Sequence, residues 1–198
     1  MLKAGDKAPD FKLTADDGST TSLSSLKGGY AVVYFYPRDD TPGCTIEAKD
    51  FSAALGRFQK AGATVLGISK DSIASHTKFK GKYGLKLKLL SDPDLKAHRA
   101  FGAWGEKTMY GKKVEGVIRS TFLVGPDGKV KRAWPSVKVA GHVDAVLGEL
   151  TGNGVEKKST AATPKKSTAK KPAAKKPAAN KPAAKQKAAA KKPSAKKR

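Results

Sequence analysis

VVYFYPRDDTPGCTIEAKDF, residues 32–51, joins a predicted strand to a predicted helix and contains the only cysteine of the chain. The β-branched and aromatic run at 32–36 is typical of a strand buried on both faces. Thr41 and Pro42 predict a helix start, because a hydroxyl residue precedes a proline that suits the first helical position. The sequence therefore places Cys44 in the first turn of a helix, just beyond the end of a central strand.

A cysteine in the first turn of a helix is placed to react as a nucleophile. The first backbone N–H groups of a helix lack internal partners, and the positive end of the helix dipole favours a thiolate there. The alternative is that Cys44 only fills the strand–helix junction, since free cysteines are among the most buried residues. The helix that follows is expected to bury an apolar stripe made of Ile46, Phe51, Leu55 and Phe58.

Strand and helix patterns alternate through residues 1–154. The predicted elements are strands at 10–13, 31–36, 63–69 and 88–90, helices at 42–60, 72–83, 95–101 and 143–150, a loop or single helical turn at 22–26, and hairpin strands at 119–124 and 129–133. The hairpin prediction depends on the turn sequence Gly-Pro-Asp-Gly at 125–128. This order predicts an α/β domain with a mixed sheet.

The spacing of Pro37, Thr41 and Cys44 resembles the Pro-x-x-x-Thr-x-x-Cys active-site pattern of the peroxiredoxins. The longer string FYPRDDTPGCTIEA is similar to the Q-type subgroup, also called bacterioferritin comigratory proteins. The likeness continues in collinear order through KAGDKAPDFKL, WGEKTMYGKK, RSTFLVGPDGKV and GHVDAVLGEL, over roughly three quarters of the chain. The resemblance implies a thioredoxin-like fold and a thiol-dependent peroxidase activity on hydrogen peroxide and organic hydroperoxides.

The resemblance also implies a role for each matching residue. Cys44 would be the peroxidatic nucleophile that becomes a sulfenic acid. The hydroxyl of Thr41 would reach the sulfur or a bound oxygen, besides capping the helix, and Pro37 would shield the thiolate from water. Arg119 matches the second active-site arginine of the family, a cation for the negative charge on the leaving oxygen.

Three further positions of the helix complete the comparison. The backbone N–H of Gly43 is expected to point at the incoming peroxide oxygen, and Glu47 matches the Thr-x-Glu pattern of the Q-type subgroup, although an acid there also suits the helix dipole. Lys49 stands where many Q-type members have a second, resolving cysteine. The resemblance therefore implies a one-cysteine mechanism, in which thioredoxin, glutaredoxin, glutathione or a Cys44–Cys44 dimer resolves the sulfenic acid in a monomer or weak dimer.

The other chemically versatile side chains form no recognisable site. His76, His98 and His142 lack metal-ligand spacing, and we expect them on the surface or packed between helices. Trp104 and Trp134 are expected to pack the domain, with a place beside the active-site entrance as an alternative for Trp104. The sequence contains no phosphate-binding glycine loop, so no nucleotide or metal cofactor is predicted.

Residues 155–198 differ in composition from the rest of the chain. They contain 16 lysines and arginines, one acid and no aromatic residue, and they account for +15 of the net charge of +23. Their Lys/Ala/Pro composition is similar to the tails of linker histones and lysine-rich nucleoid proteins, and it predicts a disordered segment. We expect this tail to bind DNA without sequence preference through its cations: Lys165, Lys166, Lys170, Lys171, Lys175, Lys176, Lys181, Lys185, Lys191, Lys192, Lys196, Lys197 and Arg198. A purely solubilising tail, RNA and polyphosphate stay open, whereas the lack of apolar anchors disfavours a membrane.

Together these features predict a peroxidase domain, residues 1–154, whose tail brings it to DNA and protects DNA from oxidative damage. The alternative is a non-catalytic, nucleoid-associated DNA-coating protein built on a degenerate peroxiredoxin domain. No apolar signal-peptide core or membrane span is evident in the sequence, which favours a soluble protein in a reducing compartment. We expect it in the cytoplasm, on the nucleoid of a bacterium, or in the nucleus of a eukaryote.

Overall fold

The computed structural model describes residues 1–109 and 112–152. The predicted tail and the predicted domain boundary at residue 154 lie outside the described residues. The elements in chain order are β1 (Lys12–Ala15), β2 (Thr20–Ser22), a 3₁₀ turn (Ser24–Leu26), β3 (Tyr30–Phe35), α1 (Pro42–Lys60), β4 (Ala63–Ser69), α2 (Ile73–Tyr83), β5 (Lys88–Ser91), α3 (Lys96–Phe101), β6 (Trp104–Met109), β7 (Lys112–Val117), β8 (Ser120–Val124), β9 (Val130–Trp134) and α4 (His142–Leu150).

Seven of the strands form one mixed sheet in the order β2-β1-β5-β4-β3-β8-β9, and β6 and β7 form a separate two-stranded sheet. β3 runs parallel to β4 and antiparallel to β8, with Tyr34 paired to Gly67 on one side and to Thr121 on the other. The predicted mixed α/β sheet is confirmed. β3 lies inside the sheet, and the chain passes from its carboxyl end into a loop and then into the helix that contains Cys44.

Each face of the sheet has its own hydrophobic core, since successive side chains of a strand point to opposite faces. Val32 and Tyr34 of β3 pack on the face that α1 and α4 cover, in the same cluster as Cys44 and Phe51. Val33 and Phe35 belong to the cluster on the other face, together with Phe101 and Phe122. Cys44 thus lies at the border between the sheet and α1.

Helix α1 has the predicted bounds, but two details of its prediction are wrong. Thr41 is the N-cap residue, yet its hydroxyl caps no helix N–H and instead donates to the carbonyl oxygen of Arg38 at 3.1 Å. Ile46 is 53% exposed, whereas Phe51 and Phe58 are buried. At 100° per residue, Ile46 lies about 140° around the helix from Phe51, so it cannot share its face.

Among the remaining elements, some match the predictions, one strand is shifted, and several strands rich in polar residues were not predicted. Ser72 caps α2 as predicted by accepting a hydrogen bond from the backbone N–H of Ser75. The strand predicted at 10–13 lies two residues later as β1, and β2 and the β6–β7 hairpin were not predicted from the sequence. Within the described residues, none of the helices is both long enough and apolar enough to cross a membrane.

Of the two positions expected for the histidines, the surface is wrong and packing within the helices is confirmed, because His76, His98 and His142 are buried residues of α2, α3 and α4. His76 and His98 are fully buried, and each places its Nδ1 next to a buried carboxylate, that of Asp39 at 2.8 Å and that of Asp92 at 2.7 Å. His142 is buried as well, and its Nε2 lies 2.8 Å from the hydroxyl of Thr121. Burial is possible because each imidazole meets a polar partner inside the protein.

Candidate active site

Cys44 lies in the first turn of α1, and only 2% of its surface is exposed. The Nη2 atom of Arg119 donates to its Sγ at 3.2 Å. Arg119 directly precedes β8, and β8 pairs with β3, the strand that leads to the cysteine. The sheet therefore brings together two residues that are 75 positions apart in the sequence.

Glu47 lies one turn further along α1 and forms an ion pair with Nη1 of Arg119. Burial raises the pKa of Glu47 to about 7, although the positive charge of Arg119 partly offsets this effect. Burial also acts to lower the pKa of Arg119, but the neighbouring Glu47 and Cys44 raise it overall. The guanidinium thus stays charged and bridges a carboxyl group and the sulfur with two different nitrogens.

Gly43 gives Arg119 the room to approach the sulfur. A Cβ atom at Gly43 would lie 3.3 Å from Nη2 of Arg119 and 4.0 Å from Cγ2 of Val139. The first distance is tighter than most Cβ contacts, so an alanine would press the guanidinium away by a few tenths of an ångström. Glycine therefore suits this position sterically, and the role of its backbone N–H stays a prediction.

Pro37 and Thr41 lie in the loop between β3 and α1. Both are partly exposed, in contrast to Cys44. The described contact of the Thr41 hydroxyl is with the carbonyl of Arg38. Its contact with the sulfur or a bound oxygen, and the shielding of the thiolate by Pro37, stay predictions.

The segment between β9 and α4 contributes to the site without any signal in the sequence. The backbone N–H of Val137 donates to the carbonyl oxygen of Arg119 at 2.9 Å, and Val139 lies beside Gly43. Burial, together with the positive charge of Arg119, lowers the pKa of His142 to about 4. The segment between β9 and α4 therefore contacts both the backbone of Arg119 and the first turn of α1.

The structure places Lys49 and Trp104 away from this site. Lys49 is exposed, and its Nζ lies 5.0 Å from the ring centroid of Tyr83. Trp104 packs against the core on the opposite face of the sheet from Cys44, as a packing role predicts, whereas Trp134 packs on the same face. Among residues 1–109 and 112–152, no three histidine, cysteine, aspartate or glutamate side chains are grouped to hold a metal ion.

Comparisons with known proteins agree on one family. The model of the AhpC/TSA family matches residues 4–133. Peroxiredoxin Bcp of Xanthomonas campestris is 52% identical over 141 residues, which are 71% of this chain and 88% of that protein. Peroxiredoxin Bcp of Escherichia coli is 42% identical over 149 residues, or 75% of this chain and 96% of the relative.

Solved structures give the same result. Peroxiredoxin Q of Xanthomonas campestris is 48% identical, superposes with a TM-score of 0.71, and matches over 78% of this chain and 98% of its own. The same relative has been solved as serine variants of two different cysteines, and as a trapped intermediate that bears on its alkyl peroxide reduction. Peroxidoxin BcpB of Mycobacterium tuberculosis matches at 32% identity and a TM-score of 0.68, over 77% of this chain and 98% of its own. These likenesses confirm the thioredoxin-like α/β fold.

Proposed function

Because the chain belongs to the AhpC/TSA family, in its peroxiredoxin Q/Bcp subgroup, and is a thiol-dependent peroxidase, we propose that Cys44 alone carries its reaction. The observation that supports this proposal most strongly is the 3.2 Å contact between Nη2 of Arg119 and Sγ of Cys44. A guanidinium at this distance stabilises the thiolate, which is the reactive form of a cysteine.

In the first step, the thiolate of Cys44 attacks the terminal oxygen of a hydroperoxide. An S–O bond forms while the O–O bond breaks, and the sulfur becomes a sulfenic acid. The second oxygen leaves as hydroxide or alkoxide and takes up a proton from water. Arg119 and the backbone N–H groups of Gly43 and Cys44 supply the positive potential that stabilises the charge developing on this oxygen.

The second step requires a thiol from outside the chain, because the chain has one cysteine. One external thiol forms a mixed disulfide with Cys44 and releases water, and a second thiol then frees Cys44. Lys49 stands at the position where many Q-type relatives have a second cysteine, and its ammonium group lies over the ring of Tyr83. Thioredoxin, glutaredoxin or glutathione would serve as the reductant.

The tail is the basis of the second part of the proposal, which is DNA binding. Residues 155–198 carry a net charge of +15, and their lysine, alanine and proline repeats are similar to linker-histone tails. Lysines that neutralise phosphates bind DNA without reading its sequence. The protein would then remove hydroperoxides next to DNA, on the nucleoid of a bacterium or in the nucleus of a eukaryote. A non-catalytic DNA-coating protein is the weaker alternative, because Arg119 still contacts Cys44.

One experiment separates the two parts of the proposal. We expect a variant truncated before Val155 to keep its peroxide turnover with a thiol reductant and to lose retention on linear duplex DNA at physiological salt. The full-length Cys44→Ser variant is the matched control, because it should bind DNA and show no turnover. If the truncated variant lost both properties while still folded, the modular proposal would be wrong.

A further inference from the structure

The loop between β3 and α1 is anchored by a buried carboxylate that the reaction itself does not use. Asp39 lies in this loop, and its side chain is only 4% exposed. Its carboxylate accepts hydrogen bonds from the hydroxyl of Tyr36 at 2.7 Å, the hydroxyl of Ser75 at 2.7 Å and Nδ1 of His76 at 2.8 Å. Aspartates in loops are rarely buried unless they are paired, so this loop is held by more than chain connectivity.

The protonation states follow from these contacts. Burial acts to raise the pKa of Asp39, but the hydrogen bonds from His76, Ser75 and Tyr36 outweigh it and lower the pKa overall. Asp39 is therefore a carboxylate, and Nδ1 of His76 carries the proton that points to it. Ser75 and His76 both belong to the first turn of α2. The carboxylate thus ties the loop to α2.

Further contacts attach the same loop to its surroundings. The backbone N–H of Asp39 donates at 2.8 Å to the carboxylate of Asp71, which lies two residues after the end of β4. The next residue, Asp40, has a left-handed backbone with a φ of 55°, and its carboxylate accepts from Lys82 and from Tyr83, both at 2.6 Å. Aspartate adopts the left-handed conformation more readily than most residues, and the two hydrogen bonds hold Asp40 in it. Residues at both ends of α2 therefore form hydrogen bonds with the loop.

We infer that Asp39 and His76 are positioning residues, which hold the loop between β3 and α1 in the shape that sets Cys44 against Arg119. The inference rests on the proposed function, since it concerns the first step at Cys44. Arg119 approaches the sulfur from β8, on the far side of β3 from α2. A shift of the loop would therefore move Cys44, together with Glu47 on the same helix, relative to the backbone of Arg119 beside β8. Misplacement of a reacting group by about 1 Å can slow a reaction roughly 100-fold.

The test compares His76→Leu with His98→Leu. Both histidines are fully buried and both pair through Nδ1 with a buried aspartate, but His98 lies in α3, on the other face of the sheet. The full-length proteins are mixed rapidly with one equivalent of hydrogen peroxide, and the second-order rate constant of Cys44 oxidation is measured by mass, together with Tm. We expect His76→Leu to react about tenfold more slowly or worse, and His98→Leu to lower Tm without slowing the reaction.

Two further variants make the result independent of stability. His76→Asn keeps an N–H near the position of Nδ1, so we expect it to recover most of the lost rate. Ser75→Ala removes one hydrogen bond from Asp39 at a part-buried site and should still fold, with a rate about threefold lower. If His76→Leu does not fold, the oxidation rate of Ser75→Ala tests the positioning role in its place.

Each result has one meaning. Slower oxidation in His76→Leu or Ser75→Ala, with rescue by His76→Asn and a normal rate in His98→Leu, supports the positioning role. Unchanged oxidation in the folded His76 and Ser75 variants, or equal slowing in His98→Leu, overturns it. Slow oxidation of the unmodified protein would instead overturn the proposed function itself.

Discussion

Replacing Arg119 by lysine is the sharpest test of the site geometry. Arg119 uses Nη1 to pair with Glu47 and Nη2 to contact Sγ of Cys44 at 3.2 Å. A lysine keeps the charge but has a single ammonium group, which cannot match the fork of a guanidinium. Because the carboxylate of Glu47 is buried and needs a partner, we expect the lysine to stay with Glu47 and leave the sulfur.

The size of the effect follows from the contact that is lost. A hydrogen bond to a charged group contributes about 1.5–3 kcal/mol, and each 1.36 kcal/mol of activation free energy corresponds to roughly a factor of ten in rate. We therefore expect Arg119→Lys to oxidise about 10 to 150 times more slowly with hydrogen peroxide, measured by rapid mixing and loss of free thiol.

The control is Arg57→Lys on α1, the helix that carries Cys44. Arg57 is exposed and forms a 3.3 Å pair with Asp144, so its replacement should change neither the oxidation rate nor Tm noticeably. If the folded Arg119→Lys variant reacted within about twofold of the unmodified protein, charge alone would suffice, and the bridging geometry would not matter.

Three other predictions test the site, the buried histidine and the tail. Gly43→Ala should slow Cys44 oxidation about tenfold, because its Cβ would press on Nη2 of Arg119. Gly56→Ala, in α1 where a Cβ meets no neighbour within 4 Å, should leave the rate unchanged and raise Tm slightly. Equal rates in both variants would argue against the steric role of Gly43. The pKa of His142 is lowered from 6.5 to about 4, so the unfolded chain binds the extra proton between these values, and stability should fall as the pH drops from 6.5 to 4, by at most about 3 kcal/mol. Thermal unfolding of His142→Gln should show a smaller loss over that range, and an equal loss would contradict the assignment. DNA binding by the full chain should weaken steeply with salt, with a log–log slope of about −0.9 for each phosphate neutralised, and a flat salt dependence would show that the tail binds no DNA.

Elements that depend on local pattern could be predicted from the sequence. The helix at 42–60 and the strand at 63–69 have the predicted bounds, because proline, apolar periodicity and β-branched runs act over a few residues. The β6–β7 hairpin could not be predicted, since its strands are WGEKTM and KKVEGV, which contain few apolar residues and no recognisable turn signal. The pairing of β6 with β7 depends on contacts between the two strands, which the strand preferences of single residues do not predict.

The residues of the site, like the elements of the fold, could be predicted from the sequence only in part. Cys44, Gly43 and Glu47 share one helix, so their proximity follows from helical spacing, and Arg119 could be assigned from the family resemblance. The Asp39–His76 pair joins residues 37 positions apart, and the contact of Val139 with Gly43 joins residues 96 positions apart. No local sequence pattern indicates either contact. These partners come together only through the tertiary packing of α2 and of the segment between β9 and α4.

The most direct test of the central claim is the reaction of the reduced full-length protein with one equivalent of hydroperoxide, followed by intact mass and free thiol from milliseconds to minutes. We expect Cys44 to gain one oxygen within seconds at micromolar concentrations, and an added thiol then to restore it through a mixed disulfide. Oxidation over minutes to hours, as for an ordinary buried cysteine, would contradict it and would leave DNA binding as the function to pursue.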